Sequence, residues 1–263
     1  MQRVVFLIGL LGILSFSDAS TVRAESDQVF IAAGKYKTFE APVKKSPIEK
    51  DLNSSNVEVN SFFLDRHPVT NNEFLNFVNI HTEWRRSKVK RVFADAHYLE
   101  DWPTDLSFRT KSAKVPVTRV SWFAATAYCE SIGKDLPTTA QWEFTLFDRG
   151  RGQETLKKKI LEWYGKPSQK RLAAINTTGR NEYGVSDLGT LVWEWTQDFS
   201  SFLSASDSRD TSGKGENLFC GSGSQLGDPS DYAAFMRYSF RASLKANFTT
   251  SNLGFRCARM DKQ

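Results

Sequence analysis

The last forty residues, Cys220–Arg259, read CGSGSQLGDPSDYAAFMRYSFRASLKANFTTSNLGFRCAR. The segment opens polar and Gly-rich, reads as strand from Phe235 onward, and closes on the compact run Ser251-Asn252-Leu253-Gly254-Phe255-Arg256-Cys257. A terminal strand carrying an apolar Phe, a Cys and an Arg between them suits one task, closing a domain onto its own beginning. A chain of 263 residues is long enough to bury a sizeable core, and 20 Phe and 7 Trp supply the material for one. With 40% hydrophobic residues the composition excludes a disordered chain.

Outward from that end, the N-terminus reads differently. Arg3 precedes the apolar run Val4–Phe16, and Val22-Arg23-Ala24 has the small-residue pattern of a cleavage site. Residues 1–24 therefore read as a signal peptide, and 25–263 as a single exported domain, periplasmic or secreted. The run is short for a membrane span, so no integral membrane segment is expected. No Cys follows it, which argues against a lipoprotein. The formal charge of +5 falls to +4 when Arg3, Arg23 and Asp18 leave with the leader. Much of the excess sits in Arg85–Arg91 and Lys157-Lys158-Lys159, which read as solvated helix or loop faces. With export, nucleic acid is not expected as a partner.

Within the domain, Val29-Phe30-Ile31 reads as an opening strand ahead of a long loop, and Asn56–Leu64 alternates as a strand. Thr70 and Glu73 have capping-box spacing, followed by Phe74, Phe77 and Val78 on one helical face. Residues 82–114 read as a surface excursion with few regular elements. Ser121 is the N-cap of a second helix through Trp122, Ala125, Tyr128 and Cys129, ending near Gly133. Thr138 and Gln141 repeat the capping-box spacing before Trp142, Phe144 and Leu146. The second half is turn-rich, with short strands and residues 200–217 as loop. No internal repeat is visible.

Seven segments stand in order: Pro68–Phe74, Pro116–Trp122, Ala127-Tyr128-Cys129, Gly133–Thr138, Gln141–Phe144, Val192–Thr196 and Asn252–Cys257. Together, over about residues 56–259, they resemble the sulfatase-modifying-factor family, whose founding members are formylglycine-generating enzymes. The resemblance implies an irregular α+β fold of the C-type-lectin-like kind, with few short helices and short antiparallel strands. It also implies that Cys129 pairs with Cys257. In the chain-entropy picture that bridge stabilises by roughly 4–5 kcal/mol, because it closes a very long loop.

The enzymes of this family bind copper through two thiolates upstream of the terminal strand, and soft thiolates select Cu(I). Here the flanks persist as Cys220-Gly221-Ser222 and Arg237–Arg241, yet no cysteine lies between Cys220 and Cys257. Counting back from the terminal motif places Ala233 and roughly Asp228 at the two positions. Copper is therefore not expected, and neither is formylglycine generation by the copper-thiolate route. Cys220 is left over as a buried inert thiol, a reactive thiol or an intermolecular bridge.

The resemblance implies calcium ligands at Asn176, Asp187 and Glu194, although Thr190-Leu191 stands where the family has Gly-Asn, which removes one oxygen ligand. For Glu194 a core role, receiving amides or an Arg, reads better. Of the three histidines only His81-Thr82-Glu83 has a metal-like spacing. Asn53, Asn176 and Asn247 begin N-x-Ser/Thr sequons. Two functions follow. The first is a non-catalytic binding, assembly or maturation factor of the cell envelope whose groove holds a protein or peptide partner. The second is a metal-dependent oxidase or oxygenase acting on a periplasmic peptide or natural product, with Ser222, Arg237, Tyr238 and Asn252 converging in the same groove.

Overall fold

The computed structural model describes residues 27–37, 56–147, 153–165, 172–199 and 232–261. The expected signal peptide (1–24), Asn53, residues 200–217 expected as loop, Cys220, Ser222 and Asp228 lie outside the described residues.

The C-terminal run does close the domain on its beginning. Strand β1 (Gln28–Ile31) pairs antiparallel with β4 (Phe62–Asp65), and β4 pairs antiparallel with β7 (Ala258–Met260), so the sheet order is β1-β4-β7. Strand β2 (Gly34–Lys37) pairs with β3 (Asn56–Val59) in a second, two-stranded sheet. Asn56–Leu64, read as one strand, is thus two, each pairing with a different partner. The third sheet joins β5 (Trp193–Glu194) to β6 (Leu253–Gly254) in parallel.

Three helices start where their caps predict. Helix α1 (Asn71–Ile80) carries the full capping box: the Glu73 amide donates to Thr70 Oγ1, and the Thr70 amide donates to Glu73 Oε2 at 2.8 Å. Helix α2 (Trp122–Ser131) is capped by Ser121, whose hydroxyl accepts from the Ala124 amide. Its chain reverses through Gly133 at φ +69°, the left-handed geometry that glycine adopts without strain. Helix α3 (Thr139–Phe147) begins with Thr138 and Gln141 exchanging bonds of 2.9 and 3.1 Å.

Two further helices correct the sequence reading. Helix α4 (Gln153–Tyr164) carries the Lys157–Lys159 run, with Lys158 and Lys159 exposed. The segment read as strand from Phe235 is instead helix α5 (Tyr232–Ala242). It buries Ala233, Ala234, Arg237 and Arg241, which four-residue spacing places on one helical face. Residues 82–114 are irregular as expected, with short 3₁₀ turns at Thr82–Trp84 and Thr110–Ser112, but they are not merely a surface excursion. Ala94, Tyr98, Leu99 and Trp102 are buried in the main core, because each aromatic polar atom finds an acceptor there: Tyr98 Oη donates to the Trp84 carbonyl and Trp102 Nε1 to Asn71 Oδ1.

The main core gathers α1, α2 and the C-terminal run. Phe255 packs edge-on against Phe74 and Tyr128, with centroids 6.1 and 5.3 Å apart. Beside it Cys129 and Cys257 form a disulfide, Cα atoms 5.6 Å apart, that fastens the last strand to α2. A second core joins β1–β4 to α3, α4 and α5 through Ile31, Phe62, Trp142, Phe144 and Ile160. The result is an irregular α+β fold with short elements and long connections. No helix among the described residues is long and apolar enough to cross a membrane.

Candidate functional site

Two carboxylates are buried against arginines, Glu194 on β5 and Glu143 on α3. Glu194 accepts from Arg256 twice, Nε to Oε2 at 2.7 Å and Nη2 to Oε1 at 2.8 Å, and Trp142 Nε1 donates to it at 2.9 Å. Arg256 spends its remaining guanidinium hydrogens on the carbonyls of Asp65, Arg66 and Ser186. Every donor of its planar fork is therefore satisfied, as a charge so deeply buried requires. The core role read for Glu194 in the sequence matches this geometry.

Glu143 accepts from Arg237 through Nε (3.1 Å to Oε1) and Nη2 (2.9 Å to Oε2), and from Arg241 Nη1 at 2.6 Å. Arg241 also lies over the Trp142 ring, 4.7 Å from its centroid. Burial alone would push the Glu143 carboxyl up. The two guanidinium groups outweigh it and hold the carboxyl down at about 2. Tyr164 beside Arg237 is pushed up to about 12, mainly by burial, so its hydroxyl stays a neutral donor.

Over this charged floor stands an aromatic wall. Trp193 is stacked between Tyr164 (5.0 Å, 13°) and Phe240 (4.3 Å, 22°), with Trp163 tilted against it at 5.2 Å. Between them lies a small recess, with a volume of about 10 Å³, lined by Trp142, Trp163, Trp193, Glu194, Arg237 and Phe240 among others. The carboxylate in its lining, Glu194, is tied to Arg256 and is not free to act as a base.

Three of the proposed groove residues, Arg237, Tyr238 and Asn252, lie among the described residues. Arg237 is 5% exposed and held by Glu143. Tyr238 is half-buried on α5 and has its own partners. Asn252 is half-buried, accepts from Thr250 Oγ1 at 3.1 Å, and through its carbonyl holds the Trp193 amide at 2.8 Å. Ala233, at one of the copper-cysteine positions, is 2% exposed within the second core. Sequence reading missed the aromatic wall, although Trp193 stood in a quoted motif. Its partners Trp163, Tyr164 and Phe240 lie on the two helices that were not anticipated.

The calcium ligands do not fit a cation. Asp187 is buried and accepts from the backbone amides of Asn176, Thr177 and Thr178 and from the Thr178 hydroxyl. Three successive amides converging on a carboxylate make a nest for an anion, whereas calcium needs oxygens with free lone pairs. The Asn176 residue is exposed at φ +64°, the turn geometry that brings its amide to Asp187. Glu194 is saturated by Arg256 and Trp142. His81 faces Glu83 at 3.7 Å, and His97 bonds Glu100, with no third ligand beside either among the described residues.

The arrangement of cores, terminal motif and caps has a recognised counterpart: the sulfatase-modifying factor enzyme 1-like domain matches residues 15–261. The chain belongs to the sulfatase-modifying-factor family. Within that family it is 28% identical over 253 residues to a Chlamydia pneumoniae protein named serine/threonine-protein kinase pkn1, covering 89% of this chain and 38% of that one. The chain thus spans about two-fifths of that relative's length. A Bos taurus relative, named inactive C-alpha-formylglycine-generating enzyme 2, is 28% identical over 249 residues, covering 77% of this chain and 78% of the relative. A Streptomyces coelicolor formylglycine-generating enzyme is 27% identical over 290 residues and is covered, like this chain, to 91%. Identities this low mark a divergent sulfatase-modifying-factor chain.

Proposed function

We propose that this protein is an exported, non-catalytic member of the sulfatase-modifying-factor family that binds a protein or peptide partner in the cell envelope, as an assembly or maturation factor. The cysteine inventory carries this reading. Of three cysteines, Cys129 and Cys257 are joined to each other, and Cys220 alone remains. Copper-thiolate oxidation of a substrate cysteine needs two thiolates, one of which engages the substrate through sulfur. One thiol cannot supply that pair.

The surroundings agree. Ala233 is packed into the core, and the arginines that follow it on α5 are spent on Glu143. The small aromatic-walled recess offers no free base or nucleophile among its described lining residues, which favours a binding role over conversion of a substrate there. The relative whose name marks it as inactive points the same way. The apolar leader-like run and the disulfide support export.

The test is direct. Purified chain is loaded with Cu(I) and incubated aerobically with a sulfatase-type peptide containing the target cysteine, and the peptide is followed by mass spectrometry. No conversion is expected, and no copper should survive dialysis against a weak thiol competitor. Appearance of the aldehyde would overturn the proposal.

A further inference from the structure

We propose that Asp27, His67 and Glu73 form a binding site for a first-row divalent cation of the zinc class, away from the recess described above. Asp27 stands just before β1, His67 just after β4, and Glu73 in the first turn of α1. One ligand atom from each lies within 4.8 Å of the other two.

The imidazole is oriented by its own chain. Its Nδ1 lies 3.0 Å from the Pro68 carbonyl oxygen and its Nε2 3.0 Å from Asp27 Oδ2. Both ring nitrogens thus face acceptors, and a neutral ring has one N–H to give. With that proton on Nδ1, a metal ion bound between Nε2 and Asp27 would satisfy both lone pairs. A backbone carbonyl fixing one nitrogen while the other is presented to a carboxylate is how metal-binding histidines are held. Metal–ligand bonds of about 2.0–2.2 Å set neighbouring ligand atoms about 3–3.4 Å apart. His67 Nε2 and Asp27 Oδ2, 3.0 Å apart, stand at that spacing, and Glu73, within 4.8 Å of both, would close in on a bound ion.

Glu73 supplies the third ligand without losing its structural task. Its Oε2 accepts from the Thr70 amide and hydroxyl at 2.8 and 2.6 Å, which fixes the carboxylate. Oε1 receives no donor among the described residues. The His67 side chain is 13% exposed and that of Asp27 50%, so an ion can enter from the Asp27 side. One imidazole and two carboxylates neutralise a divalent ion and, as a borderline-to-hard set, select zinc, manganese or iron(II) over Cu(I). Three protein ligands leave a coordination position open to water. A bound ion would pin the start of β1 to the start of α1.

The experiment titrates the full exported chain with zinc in a non-coordinating buffer, followed by calorimetry and by Tm. Two variants accompany it. Glu73→Gln keeps the capping box, since Gln serves at that position, and removes only the anionic ligand. His67→Gln removes the imidazole. One zinc per chain with a rise in Tm is expected for the wild type, at least tenfold weaker binding for E73Q, and none for H67Q. Manganese at the same stoichiometry and with the same variant pattern supports the site equally. The proposal is overturned by no uptake at tens of micromolar metal, or by uptake that either variant leaves unchanged. His67 and Asp27 would then be a simple ion pair.

Discussion

Arg256 and Glu194, sixty-two residues apart in sequence, meet as a two-point ion pair with neither side chain exposed to solvent. The pair sits where β5 runs parallel to β6, with Glu194 beside Gly254. It locks the terminal motif to the segment around Trp193 and, through the carbonyls of Asp65 and Arg66, to the end of β4.

Removing one partner strands the other charge in the core. Arg256→Leu is expected to cost about 3–5 kcal/mol, read as a lower urea midpoint at unchanged slope. Replacing both residues, as in R256M together with E194M, should recover much of that loss, because no uncompensated charge is left. A single variant as stable as wild type would contradict the geometry.

Glu143 makes stability depend on acid. Its carboxyl is at about 2 in the folded protein against an ordinary 4.5, so the unfolded chain binds the proton more readily. The contribution is fully present above about pH 4.5 and is lost as pH falls toward 2, on the order of 3 kcal/mol in total. Asp65 works in the opposite sense, since burial pushes its carboxyl up against the pull of Lys134. The comparison therefore uses Glu143→Gln. The stability gap between wild type and E143Q in chemical denaturation should be wide at pH 6 and close as the pH approaches 2.

At Gly254 an added methyl would meet the Val117 carbonyl oxygen at 2.7 Å, a backbone atom that cannot step aside. Gly254→Ala should cost about 1–3 kcal/mol by forcing β6 away from that carbonyl. Gly133→Ala meets no atom within 4 Å, so its cost, about 1 kcal/mol, comes from φ alone. Thermal unfolding of the two variants should rank them in that order.

Reduction should be felt strongly. The bridge joins residues 128 positions apart, and the chain-entropy estimate for such a loop is about 5 kcal/mol. The double variant Cys129→Ala, Cys257→Ala should show a correspondingly lower denaturation midpoint. The wild type in a strong reductant should approach it.

What the sequence made legible was whatever is local. Thr70 with Glu73, Ser121, and Thr138 with Gln141 are signals contained within one turn of helix, and each starts a helix where it was expected. Helix α5 escaped because its buried face is built from Ala233, Ala234, Arg237 and Arg241. Arginine counts as an exterior residue until its partner is known, and Glu143 lies 94 positions away from Arg237. The four-residue spacing of those residues was the available sign. Tyr98 and Trp102 were misplaced for a related reason, since their acceptors come from tertiary contacts rather than from a periodic pattern. At Asp187 the residue type alone did not disclose its surroundings, because the three backbone amides it accepts are supplied by the fold.

The bond between Cys129 and Cys257 also changes what cleavage can do. Any single peptide bond hydrolysed between those positions would leave two fragments still covalently one molecule. A protease could therefore nick the chain once anywhere between them without shedding a piece, and only a reduced gel would reveal the cut.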